Sequence, residues 1–490
     1  MKKRSIISMM LAASLLLSAC GGGETSQTKT TETNKNAIFK EDTNAFKIEE
    51  GEISQIAVAG DTLYVEQYIY NYGMPQAKAE AAAVYTETNA AVSEETVAEE
   101  VTDVNGEDMI TEDAEIMEED MYNTSTTIRK ITSFSMDGTM KNSISQEMQM
   151  NQGTGRFTAD SAGNLYFIMY QYATYEGDDM TDKIYLECYG ADGGEKWKIH
   201  LNEKAAEGDY FYVSGIYCNE QNQVILDSSR GIEIYDAGGN PVKMIEKGNV
   251  NDARLFEIRD GKYGFISSDG SSAHIQTLDL QSGVFGEKTA LPFNYYRYQV
   301  MSGSGYDIYL SDDYGIYGYN IGDVEITKIM DYISSDFASN YLYQTTFIDE
   351  NTFIAYYYGD QGVVLSKFVK VPPEEVVDKT ELIVGCYYLD YKAKQKLIDF
   401  NKNNQEYRLN IRDYSMYDTM DDYSQGLTRL NADIVSGDVP DIMILNSQMP
   451  FESYAAKGVF ADMSTFLEKD EELKKEDLLP NILEALSSED

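Results

Sequence analysis

Asp160-Ser161-Ala162-Gly163-Asn164-Leu165-Tyr166 joins a polar turn to the start of an apolar run, and Glu187-Cys188-Tyr189-Gly190-Ala191-Asp192-Gly193-Gly194 closes the next apolar stretch in a second turn. Asp, Asn and Gly are the residues that tolerate the positive φ angles of tight hairpins. The first turn recurs on either side, as Ala59-Gly60-Asp61-Thr62-Leu63-Tyr64, Asn219-Glu220-Gln221-Asn222-Gln223-Val224-Ile225 and Arg259-Asp260-Gly261-Lys262-Tyr263-Gly264-Phe265. It returns as Gly303-Ser304-Gly305-Tyr306-Asp307-Ile308-Tyr309 and Asp349-Glu350-Asn351-Thr352-Phe353-Ile354. The second turn recurs as Ser133-Phe134-Ser135-Met136-Asp137-Gly138 and Glu233-Ile234-Tyr235-Asp236-Ala237-Gly238-Gly239. A spacing of roughly 40 to 45 residues with four strands per unit predicts the blades of a β-propeller. Six units fit between about residues 50 and 372, and seven remain open. The last unit, Tyr341 to Val371, shows only three strands, so Ala45 to Ile53 is expected to supply the fourth and close the ring.

Composition agrees with a β-rich fold. Of 490 residues 39 are Tyr, which suits pleated, half-buried strands. The 83 acidic residues exceed the 39 Lys and Arg and give a formal charge of −44. Such a surface repels phosphate backbones, which argues against nucleic acid and against anionic membrane surfaces as partners. Much of the excess lies between Gln76 and Tyr122, where fifteen acidic residues face one base, Lys78. With little apolar surface to offset ordering entropy, residues 76–122 read as a disordered acidic insertion in the first blade.

The chain opens on Met1-Lys2-Lys3-Arg4 and an apolar run from Ile6 to Leu17, the pattern of an export signal. Leu17-Ser18-Ala19-Cys20 follows. This resembles the bacterial lipoprotein signal, which implies lipidation of Cys20, removal of residues 1–19, and a flexible tether over 20–44. Of the remaining thiols, Cys188, Cys218 and Cys386, only the first two are close enough in sequence to suggest a disulfide, and buried strand thiols are the simpler reading. His200 and His274 stand apart from any ligand-like spacing, so no metal and no cofactor are assigned.

After the linker 373–380 the pattern changes. Glu381 to Tyr388 is an apolar strand, Tyr391 to Asn401 a helix, Tyr407 to Tyr414 a strand, Tyr423 to Ser436 a helix stopped by Gly437, and Asp441 to Leu445 a strand, with another helix beginning at Ser453. Strands alternating with helices predict a parallel sheet with ligands beyond its carboxyl edge. Within this stretch Leu397-Ile398-Asp399-Phe400-Asn401-Lys402-Asn403-Asn404, Leu430 to Ile442, and Ala455-Ala456-Lys457-Gly458-Val459-Phe460-Ala461-Asp462-Met463 resemble family 1 extracellular solute-binding proteins, the sugar-type receptors of bacterial ABC importers. The resemblance covers residues 381–490, which corresponds to part of a first lobe and implies a truncated receptor.

The expected architecture is therefore multidomain: an all-β propeller of six to seven blades over 45–372, then a partial α/β lobe. The strand-end rule places Tyr387, Tyr388 and Asp390 after the first strand, and Asn446, Ser447 and Gln448 after the third, as ligand-binding candidates. By the family pattern those two turns face the cleft. No catalytic residue stands out, and the chain is expected not to be an enzyme. The function expected is that of a lipid-anchored solute-binding component of an ABC importer on the extracellular face of the cytoplasmic membrane. Its partners would be a sugar or oligosaccharide and an ABC permease. The alternative is a cell-surface lipoprotein whose propeller binds a protein or glycan without a transport role.

Overall fold

The computed structural model describes residues 34–71, 126–173, 181–203, 210–250, 253–268, 272–338, 342–359, 362–419, 422–471, 473 and 477–481. Contacts divide the chain into two compact units, Asn34–Val377 and the residues from Asp378 onward. Cys20, the signal segment and the acidic insertion 76–122 lie outside the described residues. No helix among the described residues is long and apolar enough to cross a membrane.

The first unit is a six-bladed propeller of four-stranded antiparallel sheets. Blade one comprises β2 (Glu52–Ala59), β3 (Thr62–Asn71), β4 (Thr126–Ser135) and β5 (Met140–Met148). Blade two runs through β6 (Gln152–Ala159), β7 (Leu165–Gln171), β8 (Lys183–Tyr189) and β9 (Glu195–His200), and blade three through β10 (Val213–Cys218), β11 (Val224–Ser228), β12 (Gly231–Tyr235) and β13 (Pro241–Ile245). Blade four holds β14 (Leu255–Ile258), β15 (Lys262–Ser268), β16 (Ala273–Asp279) and β17 (Val284–Ala290), and blade five β18 (Gln299–Met301), β19 (Ile308–Ser311), β20 (Gly315–Tyr319) and β21 (Thr327–Asp331). The sixth combines β22 (Leu342–Asp349), β23 (Thr352–Gly359) and β24 (Gly362–Lys370) with β1 (Phe39–Asp42) from the start of the unit.

The turns that revealed the repeat are built by side chains. Asp160 Oδ1 accepts hydrogen bonds from the amides of Ala162 and Asn164 at 3.0 and 2.8 Å, while Oδ2 accepts from the Asn164 amide group and the Tyr166 hydroxyl at 2.7 and 2.8 Å. Gly163 takes the positive φ of 83° that this turn requires. Asn219 performs the same task before β11, accepting from the amides of Gln221 and Gln223 at 3.1 and 2.9 Å. Asp and Asn are needed because only a short acceptor reaches back to the amides two and four residues on.

Second strands are buried on both faces. Every residue of β11 and β19 is buried, whereas β9 is mostly open. Each such strand lies between two neighbouring blades, so its sequence is continuously apolar rather than alternating. One cluster joins Tyr166, Ile168, Leu186 and Cys188 of blade two to Ile216, Val224 and Leu226 of blade three. Between blades three and four, buried Lys247 pairs with Asp227 at 2.5 Å, and the Leu255 amide donates to the same carboxylate at 2.8 Å. Cys188, Cys218 and Cys386 are free thiols.

Two expectations about the start of the unit need correction. Residues 20–44 are not all tether: Lys35–Ala37 form a 3-10 turn and Phe39–Asp42 a strand. The closing strand is β1 and not Ala45 to Ile53, whose last residues open β2. Phe39 is 1% exposed with its ring 5.3 Å from that of Phe353, and Glu41 accepts hydrogen bonds from the hydroxyls of Tyr357 and Ser366. The sequence Phe-Lys-Glu-Asp looks too charged for a strand because its carboxylate is satisfied by blade six.

The second unit is a small three-stranded parallel sheet in the order β26 (Tyr407–Asp413), β25 (Thr380–Cys386), β27 (Ile442–Met443), with helices α1 (Tyr391–Asn403), α2 (Gln425–Ser436), α3 (Phe451–Ala456) and α4 (Ser464–Leu467). Asp390 caps α1, and Gly437 ends α2 in the left-handed conformation at φ 86°.

If blade six depends on its N-terminal strand, Phe39→Ala will lower the unfolding free energy by about 3–5 kcal/mol. Val369→Ala, at a half-exposed site on the partner strand, will change it by less than about 1 kcal/mol. Urea denaturation of both variants checks this.

Candidate functional site

Two surfaces have the geometry of a site, one in each unit. In the second unit the turns after β25, β26 and β27 share the carboxyl edge of the sheet, where parallel sheets receive ligands. The six predicted residues divide by role. Tyr387 is buried beside Tyr414, Leu430, Met449 and Tyr454, and its hydroxyl donates to the Asp418 carboxylate and the Tyr423 carbonyl at 2.5 and 2.9 Å. Asn446 donates to the Tyr387 carbonyl, so the two predicted turns are tied together, and its side-chain oxygen accepts from the Gln448 amide at 3.0 Å. Asp390 accepts from the amides of Lys392 and Ala393 as a helix cap, a use that leaves it partly engaged.

Tyr388, Ser447 and Gln448 are exposed. Tyr388 is 60% exposed and adopts φ 61°, a conformation costly for a bulky residue and here locked by the Asp413 carboxylate accepting its amide at 3.1 Å. Tyr417 and Tyr423, both exposed, belong to the same edge through the turn after β26 and the Tyr387 hydrogen bond. The turns named from strand ends lie at the carboxyl edge of the sheet, and strand-end reasoning could not distinguish the inward Tyr387 from the outward Tyr388.

In the propeller the innermost strands β2, β6, β10, β14, β18 and β22 surround a cavity of about 930 Å³. Sequence reading missed it, because its polar lining is drawn from distant single residues. Arg156 projects from β6 and Arg254 from the segment just before β14, both exposed to the cavity. Glu257 follows on β14, and Arg259 is held by Asp307 at 3.1 Å. Tyr343 lies on the wall, stacked on Tyr356 with centroids 5.5 Å apart and planes 24° apart. Much of the remaining lining is committed: Gln344 bridges to the backbone of Ile56, and Gln55 donates to the Gly155 carbonyl at 2.7 Å.

The electrostatics of this wall are set by desolvation. Burial, with the nearby Glu220 charge, raises the Glu257 carboxyl to about 7. Burial also lowers the Arg156 guanidinium, and the neighbouring Arg254 charge adds to that effect. Among the described residues no group of three or more His, Cys, Asp or Glu is arranged to hold a metal ion.

No protein-family model matches the chain, and no curated protein matches its sequence. Solved structures do. The β-propeller domain of the Trilobed protease from Pyrococcus furiosus is 10% identical with a TM-score of 0.33, over 65% of this chain and 82% of that one. Oligogalacturonate lyase from Vibrio parahaemolyticus is 10% identical with a TM-score of 0.32, over 52% and 75%. Acylaminoacyl peptidase from Pyrococcus horikoshii is 11% identical with a TM-score of 0.32, over 68% of this chain and 48% of that one. The blade count itself rests on the strand order of this chain. Enzymes are among the proteins it is similar to, and the expectation of a non-enzymatic chain is corrected on that finding.

Glu257 generates a pH test. Its folded pKa lies above its ordinary value of 4.5, so its contribution to stability is complete below pH 4.5 and is lost as pH rises towards about 7. Glu257→Gln will therefore flatten the fall in urea midpoint between those pH values, relative to the parent.

Proposed function

We propose that the chain is a lipid-anchored, extracellular solute-binding component of an ABC importer, attached through Cys20 and carrying the propeller as an accessory module. The observation that supports it is the carboxyl edge of the parallel sheet, where exposed Tyr388, Ser447 and Gln448 stand on turns fixed by Tyr387, Asn446 and Asp390. An aromatic face with flanking hydroxyl and amide groups suits a carbohydrate or related solute. The permease would be the second partner. Saturation-transfer NMR against neutral mono- and oligosaccharides tests this reading: one sugar class should give saturable transfer, weakened about three- to tenfold in Tyr388→Ala. Absence of transfer from every sugar counts against it. Anchoring is tested separately by labelled palmitate in a bacterial host, where incorporation should be lost in Cys20→Ser.

A second reading, a cell-surface lipoprotein whose propeller binds a glycan or protein, is favoured by one feature. Exposed Tyr172, Tyr212 and Tyr296 lie at the ends where innermost strands begin: the Tyr172 amide donates to the Asn151 carbonyl just ahead of β6, Tyr212 immediately precedes β10, and Tyr296 precedes β18. Changing all three to Ser should abolish retention of the chain on surface glycans if this face carries the interaction.

A further inference from the structure

The cavity along the propeller axis contains an unneutralised pair of cations. Arg156 and Arg254 both line it, and among the described residues neither guanidinium has an ion-pair or hydrogen-bond partner. That is unexpected in a chain with 83 acidic residues, where a carboxylate could stand beside almost any arginine. Arg259 illustrates the usual outcome, bound to Asp307 across blades four and five. Glu257 and Asp260 share the wall, but among the described residues neither forms an ion pair with Arg156 or Arg254, and Asp260 stands 3.7 Å from Arg259. Two like charges held in a partly desolvated space repel, and the arrangement is unfavourable until an anion enters.

A second observation points to the same space. Thr345 lines the cavity, is 6% exposed, and its hydroxyl has no hydrogen-bond partner. Buried polar atoms in folded proteins are nearly always satisfied, so the Thr345 hydroxyl is a hydrogen-bonding group still open at the cavity wall. The third element is aromatic. Tyr343, 44% exposed, is stacked on Tyr356, whose hydroxyl donates to the Ser54 carbonyl. Tyr343 and Tyr356 line the same cavity as Arg156 and Arg254.

We propose that the propeller cavity binds a carboxylate-bearing saccharide, with Arg156 and Arg254 sharing the carboxylate and the Tyr343 face receiving a sugar ring. Guanidinium forks match the two oxygens of a carboxylate, and tyrosine faces match the apolar faces of pyranose rings. Phosphate would satisfy the arginines equally well, but it makes no use of the ring stack. The proposal deepens the second reading above by naming a ligand class, and it is separable from it. Unchanged glycan retention in the triple tyrosine variant, with intact uronate binding, counts against the docking face alone.

Titration calorimetry on the whole chain tests it, using glucuronate and its oligomers, glucose, and inorganic phosphate. Saturable uronate binding is expected, with glucose weaker by about tenfold or more. Arg156→Gln and Arg254→Gln should each weaken uronate binding by about tenfold or more, and Tyr343→Ala should weaken the uronate but not phosphate. Equal affinity for glucose, unchanged affinity in both arginine variants, or no saturable uronate binding up to about 10 mM overturns the proposal. Phosphate binding without uronate binding also overturns it. Stability provides a check that needs no ligand: in anion-free buffer Arg156→Gln should be at least as stable as the parent, because a repulsion has been relieved. A marked fall in urea midpoint would show that the pair is structural.

Discussion

The pairing of Phe39–Asp42 with Gly362–Lys370 is the constraint on which the propeller depends. Every other strand pair of the ring joins neighbours in its own blade, so blades can form locally. Among the described strand pairs, only this one brings together the two ends of the unit. Closing a loop of that length costs roughly 5 kcal/mol in chain entropy. Burial of Phe39 among Phe353, Phe368 and their neighbours, together with the hydrogen bonds to Glu41, offsets that cost. The ring in turn fixes the six innermost strands and hence the cavity between them. Arg156 on blade two and Arg254 at the start of blade four, with the innermost strand of blade three between them, face one cavity because the blades curve around it.

Legibility in the sequence followed the range of the interaction responsible. The turns at Asp160 and Asn219 were readable because the acceptor, the amides it holds and the positive-φ residue lie within a few positions of one another. The helices of the second unit were readable for the same reason, through their apolar spacing and through Gly437. β1 was hidden because its carboxylate is satisfied by hydroxyls more than three hundred residues away. Periodicity reports which residues alternate; it does not report which charge is neutralised at a distance.

The candidate sites divide in the same way. Strand ends led directly to Tyr388, Ser447 and Gln448, since a parallel sheet places its connecting turns on one edge. Whether a side chain at such an end turns inward or outward depends on tertiary packing, which buries Tyr387 and ties Asn446 to its carbonyl. Nothing local marks Arg156 or Arg254. Their significance comes from what fails to stand beside them, a property visible only when the fold is assembled. The net charge of −44 is also less informative than it first looks. It describes the field far from the protein and does not report the two arginines that line the cavity.

The thiols of the blade two and three interface have a further consequence. Burial raises Cys188 to about 11 and Cys218 to about 12, so almost none of either is thiolate near neutral pH. Both remain unbonded, although they share one apolar cluster. The ring is thus held by packing and hydrogen bonds with no covalent staple among the described residues. Nothing in the described ring therefore calls for an oxidant or a disulfide-forming catalyst during assembly.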